Sequence, residues 1–159
     1  MNAALPFADP ADVGGVPPEV VLVAALRRSP DWIPRLSLVA VDDDGGVVGH
    51  VVCTRARVGA GHPVLALGPI GVRPDHQRVG TGSALVPAVL GAAEALDEAL
   101  VGLLGDPAYC TRFGFRPAAT VGIAPPDPSW GRYFQIRTLN PSDEPVAGRF
   151  RYPAPFDAL

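Results

Sequence analysis

Val72-Arg73-Pro74-Asp75-His76-Gln77-Arg78-Val79-Gly80-Thr81-Gly82-Ser83 is the stretch on which the reading of this chain turns. An apolar run with strand character, residues 64–72, ends in a proline turn before it. A helical pattern over residues 83–96 follows it. A strand that passes through a glycine-containing turn into a helix is built to hold a phosphate. The turn aims successive backbone N–H groups at one point, and the helix N-terminus adds its partial positive charge. Glycine lets the backbone approach a ligand with no Cβ in the way. The plainer alternative is an ordinary strand-to-helix turn in a glycine-rich chain.

Three phosphate-binding patterns compete for this stretch. A P-loop requires a lysine, and the chain has none. A dinucleotide fingerprint requires a third glycine three residues after the second, where this chain has Leu85. The third pattern is Gln/Arg-x-x-Gly-x-Gly/Ala after a strand ending Val-x-Pro. Gln77, Gly80 and Gly82 match it, and Val72 and Pro74 match its lead-in. In this the chain resembles the coenzyme A pyrophosphate loop of the GNAT N-acetyltransferase superfamily. A second stretch, Gly105-Asp106-Pro107-Ala108-Tyr109-Cys110-Thr111-Arg112-Phe113-Gly114-Phe115, resembles the superfamily's other signature, a short helix running into Gly-Phe. The resemblance covers residues 36–123, roughly. The closing Gly148-Arg149-Phe150-Arg151-Tyr152-Pro153 with Phe156 is similar to a YhbS-like branch of the family.

Composition narrows the field from the other side. A chain of 159 residues, 48% of them hydrophobic, reads as one domain with a real core over 1–159. Within it, 19–140 form the core region, 1–18 an irregular N-terminus and 141–159 a C-terminal tail. Net charge is −3 with no basic cluster, which argues against nucleic acid or an anionic membrane surface as partner. No apolar run reaches the roughly 20 residues that span a bilayer. Cys53 and Cys110 lack metal-site spacing, so no metal is expected and a cytoplasmic location with free thiols is the simplest reading.

The periodicity predicts a helix over 19–28, a hairpin of strands 36–41 and 46–58 around the turn 42–46, and the strand 64–72. After the long helix come a strand at 100–104, a short helix over 107–113 and strands at 119–123 and 133–139. Pro87 falls inside the long helix, yet the apolar spacing Leu85, Val89, Ala92 or Ala93, and Leu96 continues past it. The order implies an α/β fold of the α+β kind, a central mixed sheet flanked by helices. The resemblance adds two parallel strands splayed around the cofactor. GNAT domains usually open with a further strand, and residues 1–18 offer no convincing one.

The resemblance implies transfer of an acetyl group from acetyl-CoA to an amine of a small molecule, peptide or protein. Ile70, Gly71 and Val72 would pair with the cofactor arm. Gln77, Arg78, Val79, Gly80, Thr81, Gly82 and Ser83 would hold its pyrophosphate, with Asp106 nearby. Arg78 is either near the anionic oxygens or simply solvated. Pro69 has no N–H for a central ladder, so it marks an edge, a bulge, an opening or a mere strand end.

Relatives place an acidic tyrosine four residues before the Gly-Phe glycine, and this chain has Cys110 there with Tyr109 beside it. Cys110, Tyr109 or no acid at all then serves the leaving thiolate. A covalent acetyl-cysteine is disfavoured, since the sequence sets no activating His beside Cys110. The strand 64–72 carries no carboxylate, so the base is His50, Asp106 or an ordered water. Trp32, Trp130 and Phe134 line an acceptor pocket or belong to the core. The rival function is a non-catalytic coenzyme A sensor, and a nucleotide-binding oxidoreductase is a distant third. The 133–139 strand or the 150–156 tail would serve a homodimer.

Overall fold

Local chemistry sets the first hairpin. The Asp42 carboxylate accepts from the N–H groups of Asp44 at 3.0 Å and Gly46 at 2.8 Å, and Gly45 turns the chain at φ +81°. The structure is a computed structural model that describes residues 17–158. Its helices are α1 (Pro18–Arg27), α2 (Thr81–Ala95) and the single turn α3 (Pro107–Cys110). Its strands are β1 (Trp32–Val41), β2 (Val47–Val58), β3 (His62–Val72), β4 (Leu100–Leu104), β5 (Arg116–Pro117), β6 (Ile123–Ala124), β7 (Phe134–Thr138) and β8 (Gly148–Arg151).

The strands form one mixed sheet in the order β5-β7-β4-β3-β2-β8-β6. Strand β1 lies off this path and shares an edge of β2 with β8. The pair β3–β4 is parallel but short. Only Leu65↔Val101 and Ala66↔Gly102 are in register, and beyond them the two strands part. The cause lies in β3. Between Val51↔Ile70 and Cys53↔Leu67 it carries one residue more than β2, a bulge at Gly68-Pro69 with Gly68 at φ +136°. Pro69 therefore sits at a bulge beside an opening, two of the roles its missing N–H suggested.

Helix α2 covers one face of the sheet. Its Leu85, Val86, Val89, Leu90 and Ala93 pack on Val51, Cys53, Leu65, Leu67, Ile70, Val101 and Leu103. Pro87 is on its exposed side and the helix runs unbroken to Ala95. The opposite face is filled by Phe134, Phe150, Ile136 and Ile123 against Val58, Val64 and Ala66. Gly102 is the floor of that cluster. A Cβ there would stand 2.5 Å from the Phe150 ring, which fixes glycine at the middle of β4.

Several boundaries differ from those read in the sequence. Residues 119–123 are not a strand. They make a 3₁₀ turn, Ala118–Val121, and Gly122 at φ +76° then breaks any extended run before β6. The 141–159 segment contains β8, whose Phe150 is fully buried. Strand β1 begins at Trp32, ahead of the expected 36, with its register on β2 broken between Trp32 and Ser37. Of residues 1–18, only Pro17 and Pro18 lie within the described residues, and they start α1. The two candidate dimer segments are engaged within the chain: β7 lies between β4 and β5, and Tyr152 packs on Phe134, Phe150 and Phe156. Among the described residues no helix is long and apolar enough to cross a membrane.

Candidate active site

The parting of β3 from β4 leads directly to the glycine loop. After Val72 a 3₁₀ turn, Pro74–His76, reverses the chain, and the Gln77 side chain donates from Nε2 to the Val72 carbonyl at 3.0 Å. Arg78 stands at φ +63°, a left-handed conformation that costs a non-glycine residue about 1 kcal/mol. Its side chain is exposed, as is that of Val79. Gly80 then occupies the helix N-cap at φ +92°, with no side chain capping the helix. The ladder starts with the Ala84 N–H donating to the Gly80 carbonyl at 2.9 Å. Helix geometry leaves the N–H groups of Thr81, Gly82 and Ser83 without intrahelical partners. Its own chain neighbours and helix backbone aside, no atom of the described residues lies within 4 Å of a Cβ built on Gly80. An uncapped, open helix start beneath a strained turn fits a diphosphate.

Two of the predicted side chains shape this loop. Gln77 anchors it to Val72, and Thr81 Oγ1 donates to the His76 carbonyl at 3.4 Å. The sequence reading missed Gly49. A Cβ at that position would come 2.9 Å from Leu85 and 3.1 Å from Thr81, so glycine lets the first turn of α2 settle onto β2. A glycine inside a strand is the signal that marks such close approaches. Ile70 points into the core, while Gly71 and Val72 are half-buried at the end of β3.

The second signature folds over the same corner. Asp106 caps α3, accepting the Ala108 N–H on its carboxylate at 2.9 Å. Tyr109 reaches the start of α2, its hydroxyl 3.4 Å from Ser83 Oγ and 3.5 Å from where a Cβ on Gly82 would be. Its ring is held edge-on by Phe113 at 5.2 Å and covered by the Arg112 guanidinium at 4.6 Å. Cys110 turns the other way, into the core beside Phe115 and Leu103. Burial pushes its thiol up, with Asp106 acting in the same sense and a hydrogen bond from the Gln135 side chain opposing. The buried thiol stays protonated near neutral pH, which disfavours an acetyl-cysteine.

His50 is brought to the strands but not to this corner. The neighbouring Gly49 faces α2, so strand alternation turns His50 to the opposite face, across from Gly71. Its Nε2 lies 3.1 Å from Ser37 Oγ. Burial, then the charge of Arg27, lowers its pKa, leaving a neutral imidazole at pH 7. Trp130 and Phe134 belong to the aromatic cluster around Tyr152 and Phe150, and Trp32 lies under Arg27 at 5.6 Å.

The comparisons with known proteins agree with this geometry. The profile of the acetyltransferase (GNAT) family matches residues 16–115. The chain is 34% identical over 122 residues to the uncharacterized N-acetyltransferase YhbS of Escherichia coli K12, covering 76% of this chain and 72% of that protein. The crystal structure of Escherichia coli YhbS in complex with CoA superposes with a TM-score of 0.79 at 31% identity, over 88% of this chain and 78% of the other. A GNAT family acetyltransferase of Brucella melitensis in complex with acetyl-CoA gives a TM-score of 0.71 at 30% identity, over 92% and 83%. Splayed strands, an uncapped helix start and these matches together make the chain a member of the GNAT family of acetyltransferases.

Proposed function

We propose that the chain transfers an acetyl group from acetyl-CoA to an amine of a small molecule, peptide or protein, by direct attack in a ternary complex. As a GNAT family member it is an acetyl-CoA-dependent acyltransferase; the acceptor and the residue roles are the proposal. The observation that carries it is the opening between β3 and β4, which ends at the uncapped start of α2. Acetyl-CoA supplies an activated thioester there. The free N–H groups of Thr81, Gly82 and Ser83 hold its diphosphate, with Arg78 and Val79 on the outer side and Gln77 and Thr81 bracing the turn. The end of β3, from Ile70 to Val72, lies open on its β4 side to the amide-bearing arm. Asp106 lends its carboxylate to the α3 cap rather than to the reaction.

Tyr109, and not Cys110, offers its hydroxyl to the bound cosubstrate, because Cys110 is buried on the core side of α3 and turned away from the loop. In this reading His50, neutral and on the far face of the sheet, takes a proton from an amine that approaches from that side. Positioning the two reactants against each other supplies much of the rate in such a site. Two buried free thiols favour a reducing, cytoplasmic setting.

Isothermal titration with acetyl-CoA, with NADH and ATP as controls, tests the cosubstrate. Selective binding is expected, followed by CoA release with at least one member of an amine panel. Preference for a control nucleotide would remove the proposal. Tight acetyl-CoA binding with no turnover on any amine would favour a sensor.

A further inference from the structure

We propose that Gln135, buried near the start of β7, is the positioning residue that sets Tyr109 over the first turn of α2. The inference rests on the acetyl-CoA reading of the site. A primary amide is an unusual occupant of a sheet centre, since a buried polar group is costly unless hydrogen-bonded. Gln135 is 1% exposed, and its backbone neighbours are Leu103 on β4 and Pro117 on β5. Phe134 and Ile136 beside it belong to the aromatic face, so Gln135 projects to the face that carries Cys110 and Phe115. An apolar side chain of similar size would satisfy packing there. The amide instead donates from Nε2 to the Gly105 carbonyl at 3.0 Å.

Gly105 is the point where the chain leaves β4. Its own N–H donates to the carbonyl of Tyr133, the residue just before β7, at 2.9 Å, so this stretch of chain grips both of its polar groups. The next residue, Asp106, starts α3, and its carbonyl accepts from the N–H groups of Tyr109 at 3.1 Å and Cys110 at 2.9 Å. A continuous path therefore runs from the Gln135 amide through Gly105 and Asp106 to Tyr109, whose hydroxyl meets Ser83. Loss of the amide leaves the buried Gly105 carbonyl unpaired and frees the base of α3 to tilt. Tyr109 then leaves the phosphate corner without any change in its own chemistry.

A double-mutant cycle read by acetyl-CoA titration tests this. Gln135→Met and Tyr109→Phe are each expected to weaken acetyl-CoA binding about tenfold, the size of one hydrogen bond to a charged group. The double variant is expected to be no weaker than Tyr109→Phe alone, because both changes remove the same contact. Losses that multiply, to about a hundredfold, would make Gln135 a packing residue and overturn the inference. So would an unchanged dissociation constant in either single variant. If Gln135→Met fails to fold, Gln135→Thr leaves room for a water on the Gly105 carbonyl and the same cycle is run with it. Failure of the unaltered chain to bind acetyl-CoA would instead overturn the reading of the site on which the inference rests.

Discussion

A glutamate at position 80 or 82 meets no steric barrier, and that makes either substitution a clean probe of the loop. Gly80 has open space around it, and a Cβ on Gly82 would make only ordinary contact with Tyr109 and Val72. The left-handed angle of Gly80 costs a side chain about 1 kcal/mol, too little to unfold a domain. Gly80→Glu and Gly82→Glu are expected to remain folded and to lose acetyl-CoA affinity by at least about a hundredfold, from carboxylate facing diphosphate. Titration alongside a thermal melt checks both halves of that statement. Cys110→Ala is expected to slow transfer less than tenfold, in keeping with a thiol that packs in the core. A hundredfold loss in single-turnover CoA release would return Cys110 to the acid's role. The glycines and Gln77 were legible in the sequence because the loop uses backbone geometry, which only a few residue types permit. Gln135 and Gly49 were not, since their roles arise from neighbours 30 residues away or more.

Helix α2 is the element on which both halves of the site depend, and it carries a defect. Pro87 can make no bond to the Ser83 carbonyl, and an interior proline costs roughly 3 kcal/mol relative to alanine. The helix survives because its buried stripe, Leu85 to Ala93, is fixed by the sheet rather than by propensity. Pro87→Ala is therefore expected to raise stability by about 1–3 kcal/mol, read from the urea midpoint at constant slope. The same logic separates the elements that sequence revealed from those it hid. Helix α2 and strands β2, β3 and β4 advertise themselves through long apolar periodicities. Strands β5 and β6 are two residues each, defined by pairing with β7 and β8, and no local pattern announces them. Strand β8 lay in a segment whose few apolar residues read as a tail, and only the fold shows Phe150 filling the space above Gly102.

For the molecule as a whole, burial of ionisable groups limits the range of pH over which the fold is most stable. His50 has a folded pKa below its ordinary value, from burial first and Arg27 second. Its contribution is intact above about pH 6.5, the ordinary histidine value, and is lost as pH falls from there through the folded pKa. Cys53 and Cys110 are pushed up by burial, Cys53 with added repulsion from Glu98. Their contribution is intact below about pH 8.5, the ordinary thiol value, and is lost as pH rises through the folded pKa values. Urea melts across this range are expected to be flat between the two limits as far as these three groups are concerned, and His50→Gln to reduce the fall in stability as pH drops below about 6.5.

The narrow join between β3 and β4 has a mechanical side. Two paired positions, Leu65 with Val101 and Ala66 with Gly102, are all that stitch the β1–β2–β3 half of the sheet to the β4–β7–β5 half. Across this seam lies Phe150, carried on β8 from the first half and seated on Gly102, Phe134 and Ile136 of the second. Pulled at right angles to its strands, the sheet is weak along that line in its backbone, and the load passes to side chains that cross it: the Phe150 ring on one face, helix α2 on the other and the Arg55–Glu98 ion pair at the end.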